Sequence, residues 1–318
     1  MATPTPIIAR DVRRRFGATV ALNGVSLDVR AGEMFGVIGP DGAGKTTFLR
    51  TVCGLESVDG GDVSVFGVDP RRDRRLVTSA VGYLSQQFSL YGDLSIDENV
   101  EFFARLHGVA DFRPKRERLL TLTGLLPFRH RLADRLSGGM KQKLALSCTL
   151  VHEPPLVVLD EPTTGVDPVS RREFWKLLAE FVAGGLTIVL ATPYLDEAER
   201  CTRVALLSDG RVLALDEPGR LRRALPGHIL EVVSADLRVA RDALAGVYGA
   251  DRAELFGDRL HVRVDASVGV PEVEGLLVRA GTASRVRQVE PSLEDVFIDL
   301  LANPSAAPAA VSREASAS

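Results

Sequence analysis

The sequence predicts an α/β fold around a mostly parallel sheet, with a smaller α+β extension toward the C-terminus. Three observations carry that expectation. Met34–Ile38, Leu156–Leu159 and Leu186–Ala191 are short apolar runs of the kind buried on both faces of a parallel sheet. Stretches of helical spacing separate them, which is the alternation of an α/β core. After about Pro226 the pattern becomes β-α-β-β-α-β, the order of a ferredoxin-like unit. A chain of 318 residues exceeds a usual single domain and fits this division.

Taken in order, residues 7–30 alternate apolar and polar around Gly17 and Gly24, which predicts an antiparallel β-region. Residues 33–53 read as strand, loop and helix. Residues 61–69 and 80–85 read as strands, and 97–109 and 114–126 have helical spacing, with Glu98, Phe102, Phe103 and Leu106 on one stripe. Lys141–Val151 and Pro168–Ala183 are predicted helices. In the extension, strands are expected at 228–235, 252–257, 259–265 and 284–290, and helices at 236–247, 270–280 and 292–302. The resulting division is 1–226, 227–302 and a tail at 303–318, whose Ala, Pro and Ser cannot bury enough surface to order.

Composition narrows the class. Hydrophobic residues make up 45% and charged ones 25%, the balance of a soluble globular chain. A net charge of −3 gives no global reason to bind nucleic acid, and the arginine clusters 13–15, 71–75 and 220–223 read as solvated surface. Cys53, Cys148 and Cys201 are few and widely spaced, so neither a disulfide framework nor a zinc site follows and a reducing cytosol is expected. The N-terminus shows no signal-peptide pattern. No apolar run reaches the roughly 18–20 residues a membrane span needs, so no direct span is expected.

The chemistry is concentrated in a few motifs. Gly39-Pro40-Asp41-Gly42-Ala43-Gly44-Lys45-Thr46 is a P-loop, placed between an apolar strand and a helix. Such a loop turns backbone N–H groups toward a polyphosphate, Lys45 reaches the β/γ-phosphates, and the Thr46 hydroxyl suits Mg²⁺. Asp160 ends a buried strand and so belongs at the sheet's C-terminal edge, where ligands of open α/β sheets bind. Glu161 follows and can orient an attacking water. Ser137-Gly138-Gly139 opens a helix and suits close approach of a phosphate.

These segments, in this order, resemble the ATP-binding-cassette ATPases over about residues 7–225. Leu136-Ser137-Gly138-Gly139-Met140 is what separates that family from other P-loop proteins. The resemblance implies an ABC-type P-loop ATPase core with an antiparallel β-subdomain and a helical subdomain, hydrolysing ATP with Mg²⁺. It places Gly39 to Thr47 on the nucleotide, Phe16 against adenine, and Thr46, Asp160 and Gln86 around the metal. Glu161, Lys45 and Gln86 become the catalytic set, with Gln86 also linked to a transmembrane partner; Gln87 adjoins it. Ser137, Gly138 and Gly139 would cap ATP bound to a second cassette, which Asp167 also contacts; as a bare residue, Asp167 before Pro168 reads equally as a helix cap. Phe88–Asn99 and Glu290–Phe297 resemble segments of multidrug- and antibiotic-export types.

The implied protein is a cytoplasmic ATPase subunit, peripheral on the inner face of the cell membrane. It would pair with an identical or different cassette and a separate permease that exports a drug, antibiotic or lipid-like substrate. The alternatives are a soluble non-transport member of the family and an ATP-gated module with little turnover. One position departs from the pattern. The family usually carries His after the strand at 186–191, against the γ-phosphate; here Pro193 stands there, between Thr192 and Tyr194, and no His is nearby. Proline offers neither a side-chain donor nor an N–H, so one γ-phosphate contact is missing unless Thr192 or Tyr194 supplies it.

Overall fold

A computed structural model describes residues 5–87 and 90–303. The expected tail, apart from Asn303, the first four residues, and Phe88 and Ser89 of the exporter-like segment lie outside the described residues. The chain divides into two compact units, Met1–Val212 and Leu213–Ser318.

The first unit runs β1 (Ile7–Phe16), β2 (Thr19–Val29), β3 (Met34–Ile38), α1 (Lys45–Val52), β4 (Gly60–Val65), α2 (Arg74–Ala80), β5 (Val81–Leu84), α3 (Ile96–Leu106), α4 (Arg113–Leu122), α5 (Gly138–Leu150), β6 (Leu156–Asp160), α6 (Pro168–Ala183), β7 (Thr187–Thr192), α7 (Leu195–Ala198), β8 (Arg203–Ser208) and β9 (Arg211–Asp216). The boundary between units falls inside β9, earlier than the change of composition at Pro226. The second unit follows with α8 (Pro218–Ala224), β10 (His228–Ser234), α9 (Leu237–Tyr248), β11 (Ala253–Phe256), β12 (Arg259–Val264), α10 (Val270–Arg279), β13 (Ser284–Val289) and α11 (Leu293–Ala302).

The large sheet has the order β5-β6-β7-β3-β8-β9. Its pairs β5/β6, β6/β7, β7/β3 and β3/β8 are parallel, with Val37 opposite Ala191 and Asp160 opposite Ala191 on the other side. The apolar runs form these strands because every residue of β3, β6, β7 and β8 is buried. Parallel pairing has one decisive consequence for function. The C-terminal ends of β5, β6, β7 and β3 come to the same edge, and the chain leaves them at Gln86, Glu161, Pro193 and the P-loop.

β1, β2 and β4 make the predicted antiparallel sheet in the order β2-β1-β4. Its register slips between Ala9 and Val12, where Asp11 adopts φ 48°. α3, α4 and α5 form the helical part. Ser95 and Glu98 close a reciprocal cap at the start of α3. The expected stripe on that helix is corrected by the structure. Ile96, Asn99, Val100 and Ala104 are its buried positions, whereas Phe102 and Leu106 are exposed. Phe102 instead packs edge-on against Tyr91 and Phe103, at 4.6 and 5.4 Å between ring centres. The strand expected over 61–69 stops at Val65, and residues 74–80 form α2 rather than leading straight into β5. All three cysteines are buried and unpaired.

The second unit carries the sheet β11-β12-β10-β13, antiparallel throughout, which is the ferredoxin-like order. One face packs Leu230, Val232, Leu260, Val262, Val264 and Val286 against Ala240 and Leu244 of α9 and Val273 and Leu277 of α10. On the other face α11 is joined to β12 by Asp295 to His261 (3.0 Å) and Asp299 to Arg263 (2.6 Å).

Candidate active site

The P-loop is shaped by backbone first. Gly44 is the N-cap of α1 at φ 100°, and a Cβ on it would stand 2.3 Å from the Ala21 carbonyl oxygen, so only glycine fits. The first intrahelical bond beyond the cap is Phe48 N–H to Gly44 O at 2.9 Å. The N–H groups of Lys45, Thr46 and Thr47 therefore precede the helix's own ladder and point out of its positive end. Inside the loop Ala43 N–H donates to Pro40 O at 3.2 Å, and Lys45 Nζ donates to the carbonyls of Gly39 (2.8 Å) and Pro40 (3.0 Å). Lys45 is only 4% exposed, so its charge is held at the mouth of the loop and not in bulk solvent. Asp41 and Gly42 stay exposed at the tip.

The strand ends bring the carboxylates to that charge. Asp160 is 2% exposed and both its oxygens are engaged: Oδ1 accepts from Thr46 Oγ1 at 2.9 Å and Oδ2 from Tyr83 OH at 3.1 Å. Burial, helped by the Asp160 carboxylate, pushes the Tyr83 phenol up to about 12, so it remains a donor across the physiological range. Glu161 follows in the left-handed region at φ 48°, a conformation that a side chain like glutamate adopts only under constraint. Its N–H donates to Ala191 O at 2.9 Å. Its Oε1 lies 3.8 Å from Lys45 Nζ, and its Oε2 accepts from Gln86 Nε2 at 3.0 Å and Thr164 Oγ1 at 3.3 Å.

Lys45, Thr46, Gln86, Asp160 and Glu161, drawn from three separate stretches of sequence, thus meet in one cluster held by the Thr46–Asp160 and Gln86–Glu161 hydrogen bonds and the Lys45–Glu161 ion pair. Phe16 is 46% exposed at the end of β1, with the Arg14 guanidinium 4.7 Å over its ring, a flat surface open to a stacking partner. Ser137 and Gly138 are also exposed and take no part in the cluster. Ser137 caps α5 by accepting from Met140 N–H at 3.3 Å. Gly139 is buried against α6, where a Cβ would stand 2.4 Å from Ser170 Oγ. Asp167 does act as a helix cap. It accepts from Ser170 N–H (3.0 Å) and Val169 N–H (3.1 Å), and the Ser170 bond holds its carboxyl below the usual range.

At the departing position, neither neighbour of Pro193 is uncommitted. Thr192 Oγ1 donates to Glu197 Oε2 at 2.7 Å and accepts from Tyr194 N–H at 3.1 Å. The Tyr194 ring lies under the Arg171 guanidinium at 4.8 Å. Tyr83 was not anticipated from the motifs. The signal available was its place in the strand ahead of Gln86, pairing with the strand that ends in Asp160.

Comparison with known proteins settles the family. The "ABC transporter" family model matches residues 22–164. The Nod factor export ATP-binding protein I of Rhizobium etli is 34% identical over 304 residues, covering 93% of both chains. The chain belongs to the ATP-binding-cassette family of ABC transporters. The daunorubicin resistance ATP-binding protein DrrA2 of Streptomyces coeruleorubidus is 35% identical, over 92% of this cassette chain and 94% of its own. The "Probable multidrug ABC transporter ATP-binding protein YbhF" of Escherichia coli is 39% identical over 286 residues, and the cassette chain spans about half of its length, 48%. Among solved structures, an ATP-binding subunit of an ABC transporter superposes with TM-score 0.62 at 30% identity, over 69% of this chain and 92% of that one. The dimeric post-hydrolysis cassette MJ0796 bound to ADP and Pi gives 0.59 at 26%, over 66% and 98%. These matches establish the ABC-type P-loop fold for this chain.

Proposed function

We propose that this cassette hydrolyses ATP to drive export through a separate membrane permease. The observation that carries the reading is the convergence of Lys45, Gln86 and Glu161 at one strand edge, with Glu161 Oε1 3.8 Å from Lys45 Nζ. The backbone N–H groups of Lys45, Thr46 and Thr47, with the rest of the loop from Gly39, would bind the phosphates, and Phe16 would carry the adenine. Glu161, held by Gln86 and Thr164, would orient the attacking water and take up its proton.

The oxygen donors of Thr46, Asp160 and Gln86 suit Mg²⁺. Among the described residues no cluster of three or more His, Cys, Asp or Glu side chains is placed to hold a metal alone. A magnesium ion that shares its ligands with substrate phosphates fits such a site. When bound it would neutralise charge on the transferred phosphoryl group.

One chain supplies one P-loop and one Ser137-Gly138-Gly139 segment, and the latter stands outside the cluster. A second cassette, identical or not, would complete each site, with Asp167 beside it. Among the described residues no helix is long and apolar enough to cross a membrane. In this reading the permease supplies the span and the cassette sits on its cytoplasmic side. The exposed Tyr91, Phe102 and Leu106, close in sequence to Gln86, offer that permease an apolar face. The relatives' names, multidrug transporter, Nod factor export and daunorubicin resistance, support export, with a drug, antibiotic or lipid-like molecule as the proposed cargo.

The test is Glu161→Gln in the full chain. ATP should still bind, while steady-state hydrolysis falls by about 10²–10³ or more, as when a preorganised group is removed from a charged transition state. Turnover like that of the wild type would overturn the assignment.

A further inference from the structure

Glu197 is a second glutamate at the strand edge, and its surroundings give it a task. It is 1% exposed. Its Oε1 accepts from the Thr163 hydroxyl and from Trp175 Nε1 at 3.4 Å, with Arg171 Nε 3.6 Å away, and its Oε2 accepts from Thr192 Oγ1 at 2.7 Å. A buried carboxylate is tolerated only with such partners, and apolar side chains of the same volume would often serve stability as well. What the carboxylate adds is a fixed geometry among the three pieces of chain it joins.

Those pieces are the loop after Glu161, the end of β7, and α6. Thr163 stands two residues after Glu161, and its neighbour Thr164 donates to Glu161 Oε2 at 3.3 Å. Thr192 O accepts from Gly39 N–H of the P-loop at 3.4 Å, and Ala191 O accepts from Glu161 N–H at 2.9 Å. Arg171 and Trp175 lie one turn apart on α6, the helix capped by Asp167 at the far end of the same loop. The loop from Glu161 to Asp167 is therefore clamped near its start by Glu197 and at its end by α6. Glu161 needs such a clamp, because its φ of 48° persists only where the surroundings over-determine it.

We propose that Glu197 is a positioning residue that, through Thr163 and Thr192, holds the Glu161 loop in register with the P-loop. The proposal rests on Glu161 being the general base. The clamp sets where the Glu161 carboxylate stands and touches no nucleotide itself, so losing it lowers turnover without lowering affinity.

The experiment uses the full chain with its permease and compares Thr163→Val, Thr163→Ser, Glu197→Gln and Glu161→Gln. Each is assayed for kcat, for the Kd of ATP by nucleotide titration, and for thermal midpoint, well below that midpoint. Thr163→Val keeps the shape and loses the donor, so it decides the matter even if Glu197→Gln does not fold. It should lower kcat about tenfold or more, since small misplacements of a reacting group are costly. The Kd should stay within about threefold, and Thr163→Ser should restore kcat. A folded Thr163→Val chain with unchanged kcat overturns the proposal, as does a loss of ATP affinity in step with the loss of rate. Hydrolysis that is insensitive to Glu161→Gln overturns the functional reading as well, which the two Thr163 variants alone would not do.

Discussion

In the six-stranded sheet every residue of β3, β6, β7 and β8 is buried, whereas β12 of the second sheet alternates buried and half-buried positions along its length. A strand covered on both faces can expose polar groups only where it ends, and that is where Asp160, Glu161 and the P-loop are found. The antiparallel sheet spreads its polar groups across one whole face, and they satisfy each other there. Glu231 accepts from Arg287 Nε at 2.6 Å and Arg259 Nη1 at 2.8 Å, and these two bonds, Arg287 first, pull its carboxyl down to about 2. The comparison teaches that buried charge alone does not mark a working site. Glu231 is spoken for by its neighbours, while the Lys45–Glu161 pair, at 3.8 Å, leaves capacity for a substrate.

Five substitutions probe that contrast. The largest expected effect is on stability in the second unit. Leu230→Ala, at a fully buried position of β10, should destabilise that unit by about 2–5 kcal/mol in denaturant titration. Hydrolysis under conditions where both units stay folded should persist; its loss would mean that the second sheet contributes to the chemistry and the contrast is false.

Next comes Pro193→His, which adds a donor at the end of β7. If the γ-phosphate contact is what this cassette lacks, the rate of the isolated chain should rise about tenfold, equivalent to about 1.4 kcal/mol in the barrier. Tyr194→Phe should change it little, because phenylalanine keeps the ring that Arg171 covers and on this reading the hydroxyl makes no contact with the phosphate. A folded Pro193→His chain that binds ATP normally and gains nothing, beside a Tyr194→Phe chain that fails, would place the contact on Tyr194. The smallest effect is Gly246→Ala at an exposed position of α9, where an added Cβ meets nothing within 4 Å. It should stabilise the second unit by about 0.5–1 kcal/mol, whereas the same change at Gly44 should abolish ATP binding, measured by titration, because Ala21 O occupies the space.

Much of this was legible in the residues. The P-loop, the Asp160–Glu161 pair and the β-α-β-β-α-β succession of the extension are local patterns, and α6 begins and ends where Pro168 and Ala183 suggested. What was not legible depends on tertiary placement. Leu195-Asp196-Glu197 reads as an ordinary acidic helix start, and only packing against Thr163 and Trp175 shows that one of its carboxylates is buried. The α3 stripe was misread for a related reason. That helix has two apolar faces, and periodicity alone does not say that Val100 and Ala104 go inward while Phe102 and Leu106 stay out. α2 was missed because its seven residues include only one buried side chain, Val77, too little for a periodic signal.

The end of β7 meets the active centre through main-chain oxygens: Ala191 O holds Glu161 and Thr192 O meets Gly39. Contacts of this kind do not depend on which side chain the next residue carries. They also suit a proline there, since the residue before a proline prefers the extended backbone that a strand already has. The scaffold is thus deaf to the identity of residue 193, so a lineage can gain or lose a functional side chain there without disturbing the fold. An inserted or deleted residue within β7 is another matter, because it would shift both carbonyls at once. Divergence of cassettes at this point should therefore run through substitution and never through length.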